Sequence, residues 1–201
     1  MRFGVLISGS GTNLQSIIDA CAAGLVSGAV EIVISNREDA YGLARARMAG
    51  IPAVYIDPGA YATSADYNHA VREALELEEV ECVVMAGYMK LLGAEVLDAF
   101  PMRVVNIHPA LLPSFPGAHG IRDAFEYGVK VTGITVHFAS EVFDEGPIIM
   151  QEAVAIEPDD TIETLESRIH DVEHRLYPEA LAALAEGRVV VEGRTVRIEP
   201  R

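Results

Sequence analysis

The stretch FGVLISGSGTNLQSIIDACA, residues 3–22, decides the fold. Its first six residues, FGVLIS, form an apolar run of strand length, which predicts a buried β-strand. Apolar residues then recur at the spacing of one helix face: Leu14, Ile17, Ile18, Cys21 and Ala22. A strand, a glycine turn and a helix in direct succession indicate the first unit of an α/β protein.

The same pattern repeats through the first half of the chain. Apolar runs predict further strands at residues 30–35, 52–56, 81–87 and 103–107, and helices are predicted at 41–49, at 65–77 and up to about residue 100. Strands that are apolar throughout and alternate with helices are typical of a parallel sheet covered on both faces. We therefore predict an α/β fold with a Rossmann-like, mostly parallel, twisted sheet and helices on both faces.

The pattern changes after residue 108. Residues 132–139 and 147–156 alternate and flank a short loop, which predicts antiparallel strands added to the sheet in the C-terminal half. Thr161 is placed to cap a long helix whose predicted core face comprises Ile162, Leu165, Ile169, Val172 and Leu176. Residues 189–198 predict a closing hairpin. No linker or repeat interrupts the chain, so we expect a single domain over residues 1–201.

Composition excludes several classes of protein. Half of the 201 residues are apolar, which supports a sizeable core and argues against disorder. The formal net charge is −15 without a basic stripe, so nucleic acid is a poor partner. Neither a signal peptide nor an apolar stretch of ~18 residues is recognisable, so we expect a cytoplasmic protein that does not enter a membrane. Cys21 and Cys82 lie in apolar patterns typical of reduced core residues. The sequence leaves open whether the protein is a monomer or a homodimer.

Residues 8–13, SGSGTN, are a candidate anion site. Glycines between a strand and a helix permit a tight turn and let the amides at the helix start face a ligand. The segment is not a P-loop, because no Gly-Lys-Ser/Thr follows, and Leu14 replaces the third glycine of a dinucleotide fingerprint. We favour a phosphate site, with a turn needed only for geometry as the alternative.

Asn106 and His108 end the fifth predicted strand, where open parallel sheets bind their ligands. Residues two apart in a strand point to the same face, so the amide and the imidazole can converge. Such a pair suits acyl chemistry, in which Asn stabilises an oxyanion and His donates or shuttles protons. Three prolines and Gly117 fix the loop that follows, as a preorganised site requires. Asp144 is the carboxylate best placed to orient His108. The alternatives are a histidine of purely structural role and a solvated loop acid.

The other histidines are weaker candidates. His170 and His174 lie four residues apart on one predicted helix, but they lack the HExxH pattern and a third ligand. We therefore expect no metal there. His119 and His137 are assigned to loop and strand structure, with a supporting role beside the site left open.

Seven stretches of the chain together resemble the folate-dependent formyltransferases. They are LISGSGTNLQSIIDAC (6–21), SNRE (35–38), VVMAGYMKLL (83–92), NIHPALLPSFPGAH (106–119), GITVHF (133–138), DEGPIIMQ (144–151) and EHRLYPEAL (173–181). The resemblance spans nearly the whole chain and is far more specific than any one motif. It implies one formyltransferase domain, with a phosphate-binding half (1–100) and a catalytic and folate-loop half (101–201).

The resemblance implies formyl transfer from 10-formyltetrahydrofolate to the glycinamide amine of a phosphoribosyl substrate in purine biosynthesis, without a metal. The implied catalytic residues are Asn106, His108 and Asp144. The implied substrate-binding residues are Gly11, Thr12 and Asn13 for the phosphate and Glu173 for the ribose. The implied folate-binding residues are Met89, Lys90, Leu91, Leu92, Asn106, Ser140, Glu141, Val142, Phe143 and Asp144. Relatives also tend to have a cis peptide before the proline that matches Pro113.

One position departs from the family pattern. Relatives carry a basic residue near the folate tail where this chain has Ser64, so we expect the tail to be held more weakly. Within the family, a deformylase is expected to carry an N-terminal regulatory domain, and a methionyl-tRNA formyltransferase a further C-terminal domain. Outside it, the alternatives are a nucleotide-binding oxidoreductase, which the incomplete glycine fingerprint disfavours, and an inactive binding module, which the intact catalytic trio disfavours.

Overall fold

The computed structural model describes all residues, 1–201, which form two compact units, residues 1–105 and residues 106–201. The first unit contains the strands β1 (Arg2–Ile7), β2 (Ala29–Ser35), β3 (Ala53–Tyr55) and β4 (Cys82–Met85). Its helices are α1 (Thr12–Ala22), α2 (Tyr41–Met48), α3 (Ser64–Leu77) and α4 (Ala94–Leu97). β1 pairs in parallel with β2 and with β4, and β2 pairs in parallel with β3.

The second unit begins within β5 (Val104–His108). It contains α5 (Gly120–Tyr127), β6 (Val131–Phe138), β7 (Ile148–Ala155), α6 (Ile162–Ala185), β8 (Val189–Glu192) and β9 (Thr195–Ile198). β6 and β7 are antiparallel, and so are β8 and β9. The predicted antiparallel pair and the predicted hairpin are both present.

Seven strands form one sheet in the order β3-β2-β1-β4-β5-β6-β7, and β8 and β9 form a separate two-stranded sheet. The predicted α/β fold with a mostly parallel sheet is confirmed. The side chains of β4 and nearly all of those of β1 are buried, as expected for central strands between helices. No helix combines the length and the apolar character that crossing a membrane requires.

Two helices differ from the sequence analysis. α4 is a single turn rather than a helix that runs up to Phe100. α5 was not predicted, because it is short, follows a proline-rich loop and has no capping side chain at its start.

The long helix α6 begins as predicted. Thr161 caps it through a reciprocal pair of hydrogen bonds with Thr164. Ile162 and Val172, predicted to face the core, are partly exposed, whereas Glu173 is buried. A carboxylate thus occupies a position on the helix face that the apolar spacing assigned to the core.

Candidate active site

The glycine turn of the first unit ends in a left-handed residue. Gly11 has a φ of +72°, which L side chains rarely adopt, and α1 begins at Thr12. The first N–H groups of a helix have no partner within the helix, and the positive end of the helix dipole favours an anion. The turn therefore has the backbone geometry of an anion site.

The turn packs directly against α2. A Cβ atom on Gly11 would lie 2.7 Å from the Cα atom of Gly42, whose N–H donates to the Gly9 carbonyl over 3.1 Å. One turn further along α2, Arg45 donates through Nε to the Ser10 carbonyl oxygen at 2.8 Å. One guanidinium therefore lies beside the turn in a strongly acidic chain.

Ser8 connects the turn to residues 89–92. Its Oγ accepts the Met89 N–H at 2.9 Å and donates to Asn36 Oδ1 at 2.6 Å. Its own N–H donates to the Gly87 carbonyl at 3.1 Å. A single buried serine thus joins the segments that the resemblance assigns to phosphate and to folate.

Residues 89–92 divide between surface and core. Met89 and Leu91 are 64% and 42% exposed, whereas Leu92 is buried. Lys90 Nζ lies 5.4 Å from the centre of the Tyr67 ring, within the range of a cation–π contact. The segment thus presents two apolar side chains of the kind that line sites for flat ligands.

In the second unit, Asn106, His137, Asp144 and His108 form one polar cluster. Asp144 Oδ2 lies 3.5 Å from His108 Nδ1, and Asp144 Oδ1 lies 3.6 Å from His137 Nε2. The Asn106 amide nitrogen lies 3.2 Å from the same His137 Nε2. The two histidines and the aspartate are at most 5% exposed, so their charges are weakly screened. The structure brings the three predicted catalytic residues together and adds His137.

His108 faces an acceptor at each ring nitrogen. Its Nε2 lies 2.8 Å from the Phe115 carbonyl oxygen, and its Nδ1 faces the Asp144 carboxylate. A neutral imidazole donates from one nitrogen only, whereas the imidazolium donates from both. Only the imidazolium can therefore donate to both of these acceptors. Gly120, the first residue of α5, packs behind it, because a Cβ atom there would lie 3.0 Å from Nε2.

Asp144 is held in its ionised form. Burial raises its pKa, but the His137 ring, the Gly117 N–H at 2.8 Å and the charge of His108 together lower the pKa below the ordinary value. Asp144 also has a φ of +58°, an uncommon conformation for a non-glycine residue.

The proline loop, residues 109–117, is tied to the buried Thr135. The Thr135 hydroxyl donates to the Ala110 carbonyl at 2.7 Å and accepts the Leu112 N–H at 3.1 Å. Gln151 Nε2 donates to the same hydroxyl oxygen and to the Leu112 carbonyl, each at 2.9 Å. The loop that carries the Phe115 carbonyl is therefore fixed by side chains of β6 and β7 as well as by its prolines.

Two further expectations concern loops of the second unit. The peptide between Leu112 and Pro113 is cis, as the resemblance implies. In the predicted folate loop, Ser140 Oγ donates to the Val142 carbonyl at 2.8 Å, and Val142 and Phe143 are about half exposed. The loop therefore exposes the apolar side chains of Val142 and Phe143 and buries the side chain of Asp144.

Glu173 is buried and accepts a hydrogen bond from His170 Nδ1 at 2.9 Å. This hydrogen bond raises the pKa of His170. The His170 and His174 rings stack, with centres 6.3 Å apart. His119 directly precedes α5 without capping it through its side chain. The predicted ribose acceptor is thus a carboxylate oriented by a histidine.

Sequence reasoning did not identify Thr135 as a partner of the site, and for His137 it left only a supporting role open. They lie two residues apart on β6, so they share one face of the strand. Two polar residues on one face of a buried strand were the signal that could have revealed them. Arg45 gave no such signal, because its contact with Ser10 depends on how α2 packs.

Comparisons with known proteins converge on one family. A profile described as formyl transferase matches residues 1–181. The phosphoribosylglycinamide formyltransferase of Bacillus subtilis is 40% identical over 183 residues, covering 91% of this chain and 94% of that protein.

Solved structures agree. The crystal structure of glycinamide ribonucleotide transformylase 1 from Symbiobacterium toebii has a TM-score of 0.97 at 55% identity and covers 98% of this chain and 93% of its own. The phosphoribosylglycinamide formyltransferase of Bacillus halodurans has a TM-score of 0.89 at 44% identity and covers 92% and 95% of the two chains.

Proposed function

The chain belongs to the formyl transferase family, and from this premise we propose that it transfers a formyl group from 10-formyltetrahydrofolate to the amine of phosphoribosylglycinamide in purine biosynthesis. Two relatives of nearly the same length support this proposal by their names. One is called phosphoribosylglycinamide formyltransferase, and the other is called glycinamide ribonucleotide transformylase 1. We place the reaction in the cytoplasm and assign no step of it to a metal.

In the proposed reaction the substrate amine attacks the formyl carbon. A new C–N bond forms, and the formyl oxygen becomes negative in a tetrahedral intermediate. The bond from that carbon to the folate nitrogen then breaks. The amine loses one proton and the folate nitrogen gains one, through water held near Asp144. No covalent bond to the protein forms at any stage.

Asn106 and His108 are the proposed donors to the developing oxygen. One hydrogen of the Asn106 amide points to His137, and the second remains to meet the oxyanion. His108 donates its Nε2–H to the Phe115 carbonyl, and we propose that the oxyanion displaces this carbonyl oxygen as the acceptor. Asp144 keeps His108 cationic by proximity.

The binding segments follow the resemblance. The substrate phosphate binds the amides of Gly11, Thr12 and Asn13, where the α1 dipole and Arg45 offset the acidic background. Glu173 accepts a ribose hydroxyl. Residues 89–92 and 140–144, with Asn106, bind the folate.

The observation that carries the proposal is the buried contact of Asp144 with His108 beside Asn106. The test is an absorbance assay of 10-formyltetrahydrofolate with and without phosphoribosylglycinamide. Conversion to tetrahydrofolate should require the ribonucleotide. Equal conversion in water alone identifies a deformylase, and no conversion in either mixture overturns the proposal.

A further inference from the structure

His137 is buried and uses both of its ring nitrogens. It is 1% exposed and lies one residue before the end of β6. Its Nδ1 lies 2.8 Å from the carbonyl oxygen of Phe138, and its Nε2 lies 3.2 Å from the amide nitrogen of Asn106. Both distances lie within the range of a hydrogen bond.

These two partners determine the protonation of the ring. A carbonyl oxygen only accepts, so Nδ1 must carry the hydrogen. An amide nitrogen only donates, so Nε2 must be the acceptor and carries no hydrogen. The Asn106 amide nitrogen is the nearest partner of Nε2, because Asp144 Oδ1 lies farther away, at 3.6 Å. His137 is therefore neutral, with its proton on Nδ1.

The two imidazoles beside Asp144 thus differ in charge because their other partners differ. His108 meets a carbonyl at one nitrogen and a carboxylate at the other, both of which only accept. His137 meets an acceptor at Nδ1, and at Nε2 the Asn106 amide at 3.2 Å lies nearer than the Asp144 carboxylate at 3.6 Å. One carboxylate can therefore sit between a cationic ring and a neutral ring.

We propose that His137 is a positioning residue that sets the orientation of the Asn106 amide. The two ends of a carboxamide are almost equal in size but opposite in hydrogen bonding, so a partner has to distinguish them. An acceptor at Nε2 holds the NH2 end of Asn106 in place and leaves its second hydrogen for the oxyanion. This inference rests on the proposed function, which makes Asn106 an oxyanion donor.

A proton on His137 Nε2 would reverse the arrangement. Nε2 would then donate, and the Asn106 amide would turn its oxygen toward the ring. The amide orientation that stabilises the transition state therefore requires His137 to stay neutral while His108 is charged.

The test is a double-mutant cycle between Asn106→Ala and His137→Leu, which isolates the coupling of two residues. With Asn106 present, His137→Leu should lower kcat by about one to two powers of ten, part of what an oxyanion donor contributes. Both KM values should stay within about twofold, because the ring contacts no substrate in this proposal. With Asn106→Ala as background, His137→Leu should change kcat by less than about twofold.

A conservative variant separates positioning from packing. His137→Gln can place its side-chain oxygen near the position of Nε2 and accept the same N–H. It should recover much of the kcat lost in His137→Leu, whereas a residue needed only to fill space would not show this rescue.

Three results overturn the inference. Additive losses in the cycle would mean that His137 acts independently of Asn106. An Asn106→Ala variant with normal kcat would remove both this inference and the oxyanion role in the proposed function. A ¹⁵N NMR spectrum of the unmodified protein with a protonated His137 Nε2 at neutral pH would refute the assigned tautomer, even if the Leu variant does not fold.

Discussion

The two candidate binding regions offer a ligand different chemical groups. One is the glycine turn of the first unit, and the other is the polar cluster of Asn106, His137, Asp144 and His108 in the second. The turn consists of main-chain amides at a helix start, with a glycine at φ +72° packed on Gly42. The cluster consists of side chains, nearly all of them buried, whose protonation states depend on one another. A backbone site fails when an added atom displaces the main chain, whereas a side-chain site fails when a charge or a hydrogen is removed.

Loss of charge in the cluster should have the largest effect. Asp144→Asn keeps the size of the side chain but removes the negative charge beside His108. We expect kcat to fall by about 10²–10³ or more while both KM values change little, because the oxyanion loses a cationic donor.

The matched control for Asp144 is Glu145→Gln, an exposed acid that directly follows Asp144 and lies outside the proposed binding residues, which should leave kcat unchanged. Near-normal kcat in Asp144→Asn would make Asp144 a structural acid.

Adding side-chain atoms to the turn should have the next largest effect. Gly11→Val places a β-branched side chain at a left-handed position and brings its Cβ to 2.7 Å from Gly42 Cα. Such backbone strain costs ~1–3 kcal/mol. We expect the KM for the ribonucleotide to rise by about tenfold or more, with the KM for the folate much less changed.

Gly9→Ala is the control for the turn, because no atom lies within 4 Å of a Cβ built there. It should leave both KM values within about twofold of the unmodified protein. Equal increases in both KM values for Gly11→Val would count against a phosphate site at residues 11–13.

Arg45 reduces the contrast between the two regions, because it places a side-chain charge beside the main-chain amides of the glycine turn. Arg45→Met keeps an unbranched side chain but removes the donor to Ser10 and the positive charge. We expect the KM for the ribonucleotide to rise about three- to tenfold at low ionic strength and less in high salt. Arg47→Met, an exposed arginine of the same helix, should have no comparable effect.

Ser64 should give the smallest change. It is the exposed first residue of α3, one turn before Tyr67, whose ring faces Lys90. Ser64→Arg should tighten folate binding by about two- to fivefold at low salt, the range of an exposed ion pair, with no gain near 1 M salt. Ser64→Gln is the uncharged control. Unchanged affinity of Ser64→Arg at every ionic strength would show that position 64 does not face the folate tail.

Most of the fold could be predicted because its signals are local. Apolar runs and helical spacing located β1, β2, β4 and most of the helices, and turn residues located the hairpin of β8 and β9. Helix α5 was missed because it has only eight residues, follows a proline-rich loop and has no capping side chain at its start. The helix predicted to run up to about residue 100 ends at Leu97, because the residues that follow form turns rather than helix.

The sequence by itself determined which apolar runs form strands, the glycine turn and the placement of Asn106 and His108 on one face of β5, because these depend on neighbours within a few residues. Only the tertiary structure decided what those side chains meet. Asn106 and His137 are 31 residues apart, and Ser10 and Arg45 are 35 residues apart. Such contacts depend on strand pairing, helix packing and loop closure. A local sequence pattern does not predict them. The partners that fix a proton or orient an amide therefore emerge only when distant segments are brought together.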